Sequence, residues 1–312
     1  MTFRCLFLLL VGLLAHTVQA QQFTAHGTVT YETFVAGDRQ SGSEYGFEFS
    51  FDNGRYFIGL NPTDSNLPDI RFGFEAGALY RIQHVLHPSP GAVNDFAGNV
   101  QAREWPQDDG TGANVIWLAL GSFKPMAALA ASTNRTFPPF WPLDDFYLAK
   151  EGFRMPVRLS LLAGGLPQQL VFLNDGTNRH SDLNGVRHVD RYTGRLADGY
   201  TNALYDVGQT MAYKGLTLPS IAALTRYYPI GQDSLAIRSV YTIKVSKVGP
   251  LAIKTFLPVF SGRAFTIDDR FPIVVGSRTN SLHYAHTNGF WPQGNALNRI
   301  YYQQLRQYGV FP

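Results

Sequence analysis

Cysteine is almost missing: a single residue, Cys5, in 312. A disulfide framework, a thiolate nucleophile and a cysteine-ligated metal centre are therefore excluded from the body of the chain. Charge is sparse as well. Charged residues make up 16% of the chain, and 26 Lys+Arg against 23 Asp+Glu leave a net +3 that is dispersed, too little for a nucleic-acid footprint. Beyond the first residues no apolar run approaches the roughly 18 residues of a transmembrane helix. There is no Gly-x-Ser-x-Gly elbow, no phosphate-binding loop and no dinucleotide glycine motif. The 30 Gly and 18 Pro follow no period, which excludes a collagen-like chain. What the chain has in quantity is aromatic side chains, with 23 Phe, 16 Tyr and 4 Trp. A chain near 300 residues buries about three quarters of its unfolded surface, so a full core is within reach.

The N-terminus reads as a secretory signal. Arg4 precedes an apolar run over 6–14, and Val18-Gln19-Ala20 places small residues at the −3 and −1 positions of a cleavage site. The run is about half of the roughly 20 residues that span a bilayer. Cleavage after Ala20 removes Arg4 and Cys5 together. The expectation is a signal peptide over 1–20 and a mature chain over 21–312 that is exported, to a periplasm, a cell envelope or the outside, without a transmembrane segment or lipid-anchoring cysteine. No linker or composition shift divides it, so 21–312 reads as one domain.

Its dominant period is two. Residues 45–60 are the clearest case, with Tyr45, Phe47, Phe49 and Phe51 alternating with Gly46, Glu48 and Ser50. Asn53-Gly54 then supplies the pair favoured by a two-residue type I′ turn. In that register Phe51 faces Tyr56, Phe49 faces Ile58 and Phe47 faces Leu60, all six on one face. Such cross-strand pairs are worth roughly 0.2–1 kcal/mol each over Ala pairs. Further hairpins are expected over 70–74 with 78–85, over 157–162 with 169–173, and over 235–246 with 251–260. Residues 115–120 read as a buried strand and 85–114 as a long surface loop. Residues 143–150 read as a short helix and 296–307 as a terminal helix capped by Asn295. The fold class is thus mainly β: a single curved antiparallel sheet, an open or half barrel with few short helices.

Particular residues carry a resemblance. Thr28–Tyr31, the run Tyr45-Gly-Phe-Glu-Phe-Ser-Phe-Asp-Asn-Gly-Arg-Tyr-Phe-Ile-Gly-Leu60, and Phe72-Gly-Phe-Glu-Ala-Gly-Ala-Leu-Tyr-Arg81 resemble the opening hairpins of LolA-like half-barrel proteins. Val115-Ile-Trp-Leu-Ala119 and Phe140-Trp-Pro-Leu-Asp144 are similar more narrowly to a group of secreted bacterial proteins with the same start. The resemblance covers roughly residues 28–151. It implies a strongly curved antiparallel sheet holding an apolar cleft, as in the periplasmic carrier of lipoproteins. This chain is longer than a minimal carrier, and no position in it matches the arginine that fastens that carrier's lid.

Candidate catalytic and metal residues are weaker. His180, Asp182, His188 and Asp190 form a tempting ligand set. A type I′ turn at Asn184-Gly185 would pair Asp182 with Arg187 and Ser181 with His188, sending the two histidines to opposite faces, whereas one ion needs converging ligands at about 2.0–2.2 Å. His84 and His87, and His283 and His286, sit beside Pro or Asn-Gly turns and read as structural. The adjacent carboxylates Asp108-Asp109, Asp144-Asp145 and Asp268-Asp269 point oppositely in extended chain. Trp105, Trp141 and Trp291 each precede a proline and read as surface residues that pack loops. No catalytic residue, metal or cofactor is expected. The leading expectation is an exported, non-enzymatic protein that binds an apolar small molecule or lipidated protein through Phe47, Phe49, Phe51, Tyr56, Ile58 and Leu60. The alternatives are a secreted hydrolase with carboxylates gathered from distant segments, and an interaction module of the cell envelope.

Overall fold

The computed structural model describes residues 21–86, 93–107, 109–137, 155–181, 186–231 and 233–310. In chain order the strands are β1 (Gln22–Val35), β2 (Asp38–Asp52), β3 (Arg55–Pro62), β4 (Ile70–Glu75), β5 (Ala78–His84), β6 (Phe96–Gln101), β7 (Thr136–Phe137), β8 (Met155–Leu161), β9 (Pro167–Asn174), β10 (Thr177–Ser181), β11 (Arg187–Arg191), β12 (Tyr200–Tyr213), β13 (Leu216–Ile230), β14 (Ser234–Gly249), β15 (Arg263–Val275) and β16 (Arg278–Thr287). The α-helices among the described residues are α1 (Ala113–Gly121), α2 (Phe123–Ala131) and α3 (Gly294–Gln307). Fourteen strands form one sheet in the order β16-β15-β6-β5-β4-β3-β2-β1-β14-β13-β12-β9-β8-β7, while β10 and β11 pair apart from it. The sheet is large, curved and not closed into a barrel. It is antiparallel except at one seam, where β15 runs parallel to β6.

The expected hairpin of 45–60 is present as β2–β3, with Phe51↔Tyr56, Phe49↔Ile58 and Phe47↔Leu60 in register. Asn53 and Gly54 take φ of 49° and 97°, the left-handed pair that such a turn demands. The hairpins β4–β5 and β8–β9 also match expectation.

Three expectations are overturned. Residues 115–120 form the middle of helix α1, not a strand. A short unbroken apolar run carries no period that separates a buried strand from a buried helix, and here all nine helical residues are buried. Residues 251–260 are not the partner of β14, which pairs with β1 and β13. They run instead as an irregular strap across the sheet's second face. The Cβ of any side chain at Gly73 would lie 1.8 Å from the Phe256 carbonyl oxygen, so only glycine lets the strap lie down there. Finally, the long loop of 85–114 contains β6, which pairs with β5, and leads into α1. The terminal helix is α3, flanked by Gln293 rather than capped by Asn295. The helix expected at 143–150 lies outside the described residues.

Both faces of the sheet are used. On the concave face β1–β5, β9 and β12–β14 wrap α1 and α2 into the main core. On the opposite face of β5, β6 and β15 the strap supplies Phe260, which packs with Tyr80, Val100 and Trp291. Helix α3 covers Ile273, Leu282 and Tyr284 further along. Between these clusters lies an enclosed ion pair. Asp268, fully buried, accepts from Arg270 Nε at 2.9 Å and Nη2 at 2.7 Å, and from Tyr284 Oη at 3.3 Å. Arg270 Nη1 donates to Tyr80 Oη at 3.3 Å. Burial works against the Arg270 charge, but the hydrogen bonds and field of Asp268 outweigh it and raise its pKa. Such a pair holds while both members are present.

Candidate functional site

The six residues expected to line an apolar face do share one face. Phe47, Phe49, Phe51, Tyr56, Ile58 and Leu60 are all buried, none above 4% exposed. The row continues onto β4 through Ile58↔Phe72 and onto β1 through Phe51↔Phe23 and Phe49↔Ala25. Phe49 stands 6.0 Å from Phe23, 6.2 Å from Phe51 and 6.2 Å from Tyr56, centroid to centroid, spacings at which aromatic pairs attract beyond their area burial.

This aromatic trough is occupied by the chain itself. Helix α1 lies in it with Val115, Ile116, Trp117, Leu118 and Leu120 buried, and Phe123 of α2 reaches Phe51 at 5.3 Å. Gly121 permits the close fit, since a Cβ there would come 3.0 Å from Phe49 Cζ. The helix enters at Gly112, in the left-handed region with φ 82°, where a Cβ would collide with Val29. It leaves at a 69° break before α2. Neither helix is long and apolar enough to cross a membrane alone. Tyr56 anchors the approach to α1 by donating from Oη to the Glu104 carbonyl at 2.7 Å, and Trp105 packs on Trp117 at 6.0 Å. Burial, then the Glu104 charge, holds the Tyr56 phenol far above its ordinary pKa. Burial also raises the Glu104 carboxyl, against the pull of Lys124.

Sequence reasoning missed the far wall of the trough. Phe172, Tyr205, Leu224 and Tyr241 come from β9 and β12–β14 and are as buried as the expected six. The signal was present at Lys214-Gly215, whose φ of 46° and 79° mark the β12–β13 turn. Three polar atoms on these strands are enclosed without a hydrogen-bond partner among the described residues, Tyr205 Oη, Tyr213 Oη and Ser239 Oγ. Burial, then Asp206, raises the Tyr205 phenol strongly. Leaving such a group unpaired costs about 1–3 kcal/mol.

The remaining candidates divide. In the β10–β11 ladder His180 pairs with His188 and Ser181 with Arg187, one residue away from the expected register. The expected pairing of Ser181 with His188 is thus one residue out, and the register on which the opposite-face argument rested does not hold. Asp182 and the expected turn lie outside the described residues. No group of three His, Cys, Asp or Glu suited to a metal ion is found among the described residues. Asp268 and Asp269 do point oppositely: Asp268 is buried, and Asp269 accepts from Ser281 on the other face at 2.7 Å. His283 stacks on Phe265. His286 is buried between Thr266 Oγ1 and the Phe290 carbonyl, each at 2.7 Å, so its Nδ1 donates to that carbonyl and its Nε2 accepts. Burial depresses its pKa, with the Phe290 contact opposing. Trp291 is not a surface residue: it is buried, and its indole donates to the Pro258 carbonyl at 2.9 Å. Trp105 is half-buried, and Trp141 lies outside the described residues.

Two cavities lie away from these six side chains. One, of about 290 Å³, is lined by Phe72, Leu79, Arg81, Asn99, Gln101, Gln107 and Asp109. The other, of about 380 Å³, lies on the opposite face beside Glu32, Arg39, Glu44 and Asp64.

No family model matches the chain, and no curated protein matches it. Solved structures similar to it include a LolA superfamily protein from Nitrosomonas europaea, at 9% identity and a TM-score of 0.35, covering 75% of this chain and 87% of that one. A DUF1329 family protein from Desulfovibrio piger is similar over 75% of this chain and 87% of that chain, at 11% identity and a TM-score of 0.26. The MucA/MucB complex of Pseudomonas aeruginosa matches over 75% of this chain and 95% of that chain, at 11% identity and a TM-score of 0.21. With every TM-score below 0.5, these likenesses carry no argument about this chain's ligand or partner.

Proposed function

We propose that residues 21–312, exported after loss of residues 1–20, act as one non-enzymatic binding unit for an apolar molecule, a lipid or a lipidated protein. The ligand would take the place of α1 against Phe47, Phe49, Phe51, Tyr56, Ile58 and Leu60. One observation carries this reading: the trough is filled by a short helix, apolar but for Asn114, whose two ends are set by glycines. A segment of that kind can leave as one body and be replaced by a ligand of like polarity. The enclosed Tyr205 hydroxyl would then find an acceptor on the incoming molecule. Mass spectrometry of the natively exported protein should find co-purified acyl-chain compounds. Added fatty acid should shift the emission of buried Trp117, and a Trp117→Phe variant should lose that shift. If no apolar compound co-purifies and no fluorescent fatty acid is taken up, the reading fails.

A second reading, an interaction module of the cell envelope, draws on the hairpin tips. Val35, Ile230, Leu235 and Ile237 are exposed at 60%, 42%, 38% and 38%, where the Ala36 N–H donates to Tyr228 Oη at 3.0 Å and ties the β1–β2 and β13–β14 tips together. Vesicle flotation of the mature chain, lost on replacing Val35 and Ile230 by Ser, is the result expected of that reading.

A further inference from the structure

The cavity of about 290 Å³ lies on the same sheet face as the aromatic trough, where β4, β5 and β6 pass beyond α1. Its floor is apolar, formed by Phe72 and Leu79, both members of the main core. Its walls are amides and one ion pair. Arg81 sits over the Phe72 ring at 5.7 Å, donates from Nη2 to Gln83 Oε1 at 2.7 Å, and faces Asp109 Oδ2 at 3.3 Å. Asn99 Nδ2 donates to Asp269 Oδ2 at 3.1 Å. Gln101 Nε2 reaches Gln107 Oε1 at 3.5 Å and Asp269 Oδ2 at 3.4 Å.

The polar atoms left over decide what would fit. Asn99 Oδ1 and Gln101 Oε1 are acceptors, and Gln107 Nε2 and Arg81 Nη1 are donors; none makes a hydrogen bond among the described residues. Two donors and two acceptors around one hollow suit hydroxyl groups, which donate and accept at once. Charge argues the same way. The Arg81 cation already faces Asp109, and Asp269 adds a second carboxylate, so an anionic group would meet net repulsion. The apolar floor suits the C–H face of a ring. The volume is at the lower end of small-molecule sites, about 300 Å³.

We infer that this cavity binds an uncharged polyhydroxyl group of the size of a single sugar ring. That chemistry has two sources, a free saccharide and the head group of a neutral glycolipid. The site exists with α1 in place, so it does not depend on ligand uptake in the trough.

Saturation-transfer NMR and calorimetry on the mature chain test it with neutral methyl glycosides, a hexuronate, an amino sugar and micelles of a neutral glycolipid. A neutral glycoside or the glycolipid should bind in preference to the hexuronate. Gln101→Leu and Gln107→Leu should each weaken that binding at least tenfold, with the thermal midpoint and fatty-acid uptake unchanged. Comparable affinity for free and lipid-borne sugar assigns a soluble saccharide, and binding of the glycolipid alone assigns a head group. The inference is overturned if no neutral sugar binds in either form, if the hexuronate binds more tightly, or if both variants bind as the wild type does. Fatty-acid uptake in the same variants separates this failure from failure of the carrier reading.

Discussion

Phe49 tests whether the aromatic trough is a closed core or a standing cleft. It is fully buried, ringed by Phe23, Phe51 and Tyr56 at 6.0–6.2 Å, and roofed by Gly121 of α1. Phe→Ala in such a site removes the ring's transfer free energy and leaves a cavity, about 3–5 kcal/mol together. The upper half of that range is expected, because rigid rings on three sides and a helix backbone on the fourth limit collapse. With a urea m-value of about 3 kcal/mol/M, the unfolding midpoint should fall by roughly 1.3–1.7 M with m unchanged. Phe57→Ala, its neighbour across from Ser50 on the other face and only half-buried, should cost about 1 kcal/mol. Chemical denaturation followed by circular dichroism and Trp117 fluorescence reads both variants. If Phe49→Ala costs less than about 1 kcal/mol, the trough is not sealed by α1 at rest, and the filled-core account is wrong. A carboxylate at the same site, Phe49→Asp, should abolish folding and so cannot report on ligand uptake.

Three further outcomes are expected. Gly73→Val should push the Phe256 strap off the sheet at a cost of about 1–3 kcal/mol, and limited proteolysis should open 250–262 before the rest of the chain. Asp268→Ala should cost about 3–5 kcal/mol, read from the thermal or urea midpoint, because it strands the Arg270 guanidinium; a double change of Asp268→Leu with Arg270→Met should recover most of that loss. His286 has a folded pKa below its unfolded value of 6.5, so between the two the unfolded chain binds a proton that the folded chain refuses. Stability should therefore hold above pH 6.5 and fall as pH drops below it, and His286→Gln should flatten that fall in urea midpoints. The raised Glu104 carboxyl acts in the opposite sense and is common to both proteins, so their difference isolates the histidine.

What the sequence made legible depended on whether a local rule and a tertiary contact agreed. The 45–60 hairpin had alternation, a left-handed turn pair and matched apolar partners, and every pairing came out in place. Helix α1 had none of these. Apart from Asn114, itself buried, its residues are apolar because it is buried all round, and a helix with no polar face loses its own period. The strap at 251–260 has strand-like composition, but Gly73 beneath it, far away in sequence, fixes its path. The β10–β11 register differs from the expected one by a single residue, which the Asn184-Gly185 signal did not settle. The polar cavity was invisible for another reason. Arg81, Asn99, Gln101 and Asp109 look like ordinary exposed residues until β4, β5 and β6 and the segment before α1 bring them together.

A filled trough and a binding role are compatible if the exchange is close to neutral. Releasing α1 would re-expose Val115, Ile116, Trp117, Leu118 and Leu120. At about 1.5–3 kcal/mol for each large apolar side chain, complete exposure would cost roughly 8–15 kcal/mol. An acyl chain of about 15 methylenes entering the same space returns about 12 kcal/mol at 0.8 kcal/mol each. The two quantities overlap, so a long acyl chain could replace the helix while a chain of six to eight carbons, returning about 5–6 kcal/mol, could not. Uptake should thus rise steeply with acyl length and be negligible for octanoate. A length-independent affinity, measured by displacement of a fluorescent fatty acid, would mean that the ligand sits on the surface and α1 never leaves the trough.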